Sequence, residues 1–174
     1  YLSRGLGDVY KRQDNAVLHI RWHKDSLYCS ITRVMEQNNV WMIDDNLGDS
    51  ILMEEAILRT SLDVNLTYID NAQEALQRLQ ESSPDVYPDL LIVDLNMPGM
   101  NGLEFIGKVK EDDRLQLIPV VVMTTSSLNS DVRSAYKQLA NAVVVKPIEF
   151  EDYIKTITAI HTFWLSTAKI ARYE

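Results

Sequence analysis

The sequence predicts an α/β fold, a doubly wound (βα)5 sandwich built on a five-stranded parallel sheet. Three observations predict it. Short apolar runs of β type alternate with helix-period segments from Val40 onward. The runs are almost unbroken by polar residues, as in strands covered on both faces. Polar and charged residues follow the ends of those runs, where an open α/β sheet places its ligand crevice.

The elements follow in order. Val40-Trp41-Met42-Ile43 is the first strand and ends in Asp44-Asp45. Residues 50–59 carry Ile51, Leu52, Ala56, Ile57 and Leu58 at helical spacing. Residues 64–69 read as the second strand, and Ala72, Ala75, Leu76 and Leu79 as an amphipathic helix stripe. Two prolines make residues 82–88 a loop. Leu90-Leu91-Ile92-Val93 is a buried strand ending in Asp94, and Met97-Pro98-Gly99 a turn. Leu103, Phe105, Ile106 and Val109 suit the third helix. Val120-Val121-Val122-Met123 is the fourth strand, ending in Thr124-Thr125, and residues 131–139 the fourth helix. Val143-Val144-Val145 is the fifth strand, ending in Lys146-Pro147. Tyr153, Ile154, Ile157, Ile160 and Trp164 line a last helix. Phe163-Trp164-Leu165 belong either to the core or to a homodimer face.

The front of the chain reads differently. Residues 3–13, SRGLGDVYKRQ, resemble a translated sequencing-library adapter, so residues 1–13 are set aside as an artefact. Residues 14–34 show no sustained period of 2 or 3.6 and are expected to be a non-native or disordered upstream segment. His19, His23 and Cys29 have no recurrent metal-ligand spacing. Met35 is the expected start, with the folded domain over 35–168 and a tail over 169–174.

The 174 residues suit one domain, with 46% hydrophobic and 24% charged residues. The net charge is -8. Residues 1–34 carry six of the 17 basic and three of the 25 acidic residues, which leaves 11 basic against 22 acidic beyond them, a net charge of -11. That balance argues against a nucleic-acid or anionic-membrane surface. One cysteine cannot form an intramolecular disulfide, and no signal peptide or membrane-length apolar run is present, so a cytoplasmic protein is expected.

Asp44, Asp45, Asp94, Thr124 and Lys146 all follow strands and converge on one sheet edge. Three carboxylates in one pocket repel, and a divalent cation removes the conflict. Oxygen-only ligands suit Mg²⁺, often shared with a phosphate. A lysine and a threonine hydroxyl beside them complete the parts that can make and hold an aspartyl phosphate.

The ordered segments WMIDDN, LLIVDLNMPGMNG, VVVMTTSS and VVVKP resemble the signature motifs of response-regulator receiver domains, over roughly residues 38–165. The resemblance implies a flavodoxin-like, CheY-like fold and a phosphoacceptor signalling protein that catalyses only its own phosphotransfer and dephosphorylation. By resemblance, Asp94 is the phosphoacceptor. Asp44, Asp45, Asp94 and the Asn96 backbone carbonyl hold Mg²⁺. Lys146 bridges to the phosphoryl group, aimed by a cis bond before Pro147. Thr124 is the switch hydroxyl, Thr125 the small residue limiting access, and Asn96 and Ser126 tune phosphate lifetime. The implied partners are a histidine kinase or histidine phosphotransfer protein and a downstream protein target. With no DNA-binding segment after the last helix, a stand-alone regulator is expected. An LGDS-like segment and an FWL-like ending resemble single-domain receivers paired with phytochrome-type or hybrid kinases.

Two positions depart from the family pattern. Val143 stands where a switch tyrosine or phenylalanine is usual, which puts a threonine–aromatic relay in doubt. Leu139 stands where glycine often closes the fourth helix, so that helix is expected to end differently. Three other readings fit less well. A haloacid-dehalogenase-type phosphatase would have an acid where Asn96 stands. A pseudo-receiver would have lost its acids, threonine or lysine. A flavin-binding protein would have a phosphate-cradling loop where Asp44-Asp45 stand.

Overall fold

The computed structural model describes residues 9–13, 16–23, 26–32 and 37–171, with side chains described from Gln37 onward. The proposed start at Met35, residues 1–8 of the adapter-like segment and residues 172–174 of the tail lie outside them. The chain divides into two units, Tyr1–Gln37 and Asn38–Glu174.

In the first unit, β1 (Val9–Gln13), β2 (Ala16–His23) and β3 (Ser26–Thr32) pair antiparallel in the order β1-β2-β3. Ile20 faces Cys29 and Trp22 faces Leu27 in the register. Along β2, Leu18, Ile20 and Trp22 alternate with His19, Arg21 and His23, the period of a strand.

In the second unit, strands and helices alternate: β4 (Asn38–Ile43), α1 (Leu47–Thr60), β5 (Val64–Ile69), α2 (Ala72–Glu81), β6 (Leu90–Val93), α3 (Gly102–Glu111), β7 (Val120–Thr124), α4 (Asn129–Lys137), β8 (Ala142–Val145) and α5 (Phe150–His161). All strand pairs are parallel, in the order β5-β4-β6-β7-β8. The doubly wound five-stranded sheet is therefore the one expected from the sequence. The chain steps from β4 outward to β5, then back across to β6. This reversal opens a crevice beyond the carboxyl ends of β4 and β6.

Strand alternation divides the core. Ile43, Leu91, Val93, Val120 and Val122 pack with α2 and α3 on one face. Val40, Met42, Leu90, Ile92, Val121 and Met123 pack with α1 and α5 on the other. β6 and β7 are buried at every position, which explains their lack of polar residues. Trp164 and Leu165 pack against the second cluster, while Phe163 is 55% exposed and meets Trp164 edge to face. Two residues of the FWL ending are thus core packing. No helix among the described residues is long and apolar enough to cross a membrane.

The expectation for Leu139 is corrected. Helix α4 keeps the left-handed ending, with Leu139 at φ 64° in the place of glycine. The Ala140 N–H donates to the Ala135 carbonyl and the Leu139 N–H to that of Tyr136, a Schellman pair. Buried Ala135 and Ala140 meet beneath the turn, while the Leu139 side chain points out, 64% exposed. Satisfied carbonyls offset the cost of about 1–2 kcal/mol of a left-handed leucine.

Lys110 staples the end of α3 to the approach to β7. Its Nζ donates to the carbonyls of Gln116 and Ile118, at 2.9 and 2.7 Å, and reaches Asn141 Oδ1 at 3.4 Å. Burial pulls its pKa down to about 8. The unfolded residue releases its proton near 10.4, so between these values the unfolded chain holds more protons and stability rises with pH. Relative to Lys110→Met, the wild type should gain about 1–2 kcal/mol from about pH 8 to 10.5, partial exposure tempering the full effect. Urea unfolding of both proteins across that window checks it, and a flat difference would refute it.

Candidate acidic phosphoacceptor site

The crevice positions its side chains through register. Ile43 and Val93 are partners across β4 and β6, so Asp44 and Asp94 leave the sheet side by side. The Asp94 N–H donates to the Ile43 carbonyl at 2.9 Å and continues the ladder past the strand end. Asp44 is similarly tied, its N–H donating to the Ile69 carbonyl at 3.1 Å. Both side chains are buried, while Asp45 is exposed. Carboxylate oxygens of Asp44, Asp45 and Asp94 all lie within 4.8 Å of one another.

Lys146 enters from β8. Its N–H donates to the Thr124 carbonyl at 2.8 Å, fixing the chain at the mouth of the site. Its Nζ donates to Asp44 Oδ2 at 2.6 Å and Asp49 Oδ2 at 2.8 Å, and lies 3.4 Å from Asp94 Oδ1. Burial alone would lower the Lys146 pKa. Contacts with Asp44 and Asp49 outweigh it and raise the pKa, so the amine is charged. For Asp44, burial dominates and raises the pKa, against the pull of Lys146 and the Asn46 N–H. Asp94 Oδ2 accepts the Asn96 N–H at 2.9 Å, but buried Oδ1 has no hydrogen-bond partner. A buried carboxylate oxygen that accepts no hydrogen bond, beside two further carboxylates, is what an oxygen-liking divalent cation would satisfy.

Thr124 is fully buried at the end of β7, and its Oγ1 accepts the Ser126 N–H at 3.2 Å. Ser126 is in turn held by its hydroxyl bond to Asp131 in the first turn of α4. Thr125 and Asn96 are exposed at the rim. Val143 is not at the crevice: it pairs with Val122 inside the sheet and packs on the α2/α3 side. The expected cis bond before Pro147 is a correction, because no cis peptide occurs among the described residues. The amine of Lys146 is aimed instead by its backbone bond to Thr124 and by two carboxylates.

Sequence reasoning missed Asp49. It lies in the first turn of α1, where an acid is ordinary beside an Asn46 N-cap. Its signal was its place four residues after Asp45, in the first turn of the helix that follows the acidic pair.

The sequence pattern of the response regulator receiver domain matches residues 40–158. The chain belongs to the response-regulator receiver family. Among curated relatives, this receiver is 32% identical over 136 residues to the response regulator Rcp1 of Synechocystis, covering 75% of this chain and 91% of that one. Among solved structures, it resembles the phosphorylated cyanobacterial phytochrome response regulator RcpA with a TM-score of 0.71 and 28% identity, over 77% of this chain and 98% of that one. The Mn²⁺-bound form of Rcp1 gives a TM-score of 0.69 and 29% identity, over 77% and 99%. The receiver fold and its likeness to single-domain regulators agree with the sequence expectation.

Proposed function

We propose that this receiver accepts a phosphoryl group on Asp94 from a histidine kinase or histidine phosphotransfer protein. The carrying observation is Lys146 Nζ, brought from the far end of the chain to 3.4 Å from Oδ1 of buried Asp94, an oxygen that accepts no hydrogen bond. Asp44, Asp45, Asp94 and the Asn96 carbonyl would hold Mg²⁺. When bound, that ion neutralises charge on the phosphoryl oxygens. Mn²⁺-bound Rcp1 and phosphorylated RcpA support this reading by likeness.

The chain's own residues do the positioning. The Asp94 carboxylate attacks phosphorus in line as the N–P bond of phosphohistidine breaks and the imidazole leaves. Asn96 N–H holds that carboxylate in place through Oδ2. Lys146 offers its remaining N–H to a phosphoryl oxygen. Release is in-line attack by water on phosphorus, which breaks the Asp94 O–P bond and frees inorganic phosphate; Asn96, Thr125 and Ser126 admit or exclude that water. The protein performs no other turnover in this reading.

Output would pass through Thr124. Turning its hydroxyl toward the new phosphoryl oxygens breaks the Ser126 N–H bond and frees the loop that leads into α4. Val143 has no ring to rotate, so this loop carries the signal to a downstream protein surface rather than an aromatic relay. Wild-type protein with Mg²⁺ and acetyl phosphate should acquire one phosphoryl mass, and Asp94→Asn none. Label retained by the variant would overturn the assignment, and catalytic turnover of p-nitrophenyl phosphate would favour a phosphatase.

A further inference from the structure

Three carboxylates pair with Lys146: those of Asp44, Asp49 and Asp94. Asp49 Oδ2 accepts the lysine Nζ at 2.8 Å and the Asn46 side-chain amide at 3.1 Å. The Lys146 and Asp49 side chains are 7% and 16% exposed, so the pair is shielded from solvent. Yet Asp49 is not one of the three acids whose oxygens lie within 4.8 Å of one another. Of the acids paired with Lys146, Asp44 and Asp94 belong to that trio and Asp49 stands outside it.

An ammonium has three donors. Here one goes to Asp44 and one to Asp49, which leaves the third for Asp94 or for whatever is attached to it. A buried ammonium must keep a counterion. A divalent cation ligated by Asp44 and Asp94 would draw off their negative charge and repel the lysine. Were those two the lysine's whole support, the two cations would compete for the same oxygens. Asp49 removes the competition, because its charge stays with the lysine whether or not the trio is engaged.

Building on the receiver reading above, we infer that Asp49 is a positioning residue, the standing counterion that parks Lys146 beside the site and so leaves Asp44 and Asp94 to the metal. It touches neither metal nor phosphoryl group and acts through the lysine.

The test is calorimetric titration of the full chain with MgCl₂ alone, in wild type, Asp49→Asn, Asp49→Glu, Lys146→Met and the Asp49→Asn/Lys146→Met pair. In Asp49→Asn the Mg²⁺ dissociation constant should rise about five- to ten-fold, toward the low end of typical site-to-site couplings. Asp49→Glu should restore most of the affinity. In the Lys146→Met background the same Asp49→Asn change should shift the constant by less than about two-fold, within the additivity of independent sites. Wild-type affinity in Asp49→Asn would overturn the inference. So would an equal weakening in the Lys146→Met background, which would mean that Asp49 acts on the metal directly through space. Absence of Mg²⁺ binding by the wild type would instead bring down the receiver reading itself, and this inference with it.

Discussion

Replacing Gly102 with alanine should destabilise the protein by about 3 kcal/mol and displace Asp94, the proposed phosphoacceptor. A Cβ at Gly102 would lie 2.1 Å from the Asp94 carbonyl oxygen, 2.8 Å from Leu95 Cα and 3.0 Å from the Asp94 carbonyl carbon. These are backbone atoms, and no rotamer change can clear them. The Gly102 N–H also donates to the Leu95 carbonyl at 3.0 Å, so the start of α3 is bound to the turn it presses against. Relief requires α3 to retreat from the sheet or the Asp94 carbonyl to turn. The first loses packing of Phe105 and Ile106, both fully buried, and the second moves the Asp94 side chain. Gly99 is the contrast. It adopts φ 76° with nothing within 4 Å of a built Cβ, so alanine there pays only the left-handed cost of about 1–2 kcal/mol. Urea unfolding of both variants measures the difference, and phosphoryl uptake from acetyl phosphate measures the displacement of Asp94. A Gly102→Ala loss below about 1 kcal/mol would mean that α3 is not wedged against the acceptor turn.

Why that contact was invisible in the sequence shows where sequence reading ends. The sheet was legible because central parallel strands have no solvent face, and LLIV and VVVMT therefore contain almost nothing polar. The site was legible for the complementary reason: acids, a threonine and a lysine directly after such strands have nowhere to go but the crevice. What failed depends on distances between elements or on backbone angles. Gly102 resembles any helix-start glycine until Asp94 is placed against it. Leu139 occupies a left-handed position that sequence reasoning reserved for glycine, because the paired carbonyls of α4 support it. Asp49 looked like an ordinary first-turn acid, and Asn46 does cap α1, accepting the Gly48 N–H at 3.0 Å. That cap also starts α1 at Leu47, earlier than the apolar stripe suggested.

Millimolar Mg²⁺ should raise the stability of this receiver well beyond what NaCl at matched ionic strength does. Asp44, Asp45 and Asp94 place three carboxylates together, with Lys146 close enough to compensate only part of the charge. Two like charges at 4 Å repel by about 4 kcal/mol under an effective dielectric of about 20, so the folded state carries a strain that the unfolded chain does not. Burial of Asp44 compounds it, which is why that carboxyl holds its proton more tightly than usual. A ligand that binds the folded form alone adds about 2.7 kcal/mol at a hundred times its dissociation constant. For a domain of this size that is a rise in Tm of about 5–10 °C. Asp45→Asn keeps the fold, since Asp45 is exposed, but removes a proposed charged ligand. It should lose most of the Mg²⁺ increment while melting no lower than wild type in chelator. Thermal melts with MgCl₂, with EDTA and with NaCl at matched ionic strength separate binding from screening. If NaCl raised the wild-type Tm as far as MgCl₂, the acids would be only a solvated edge of the sheet.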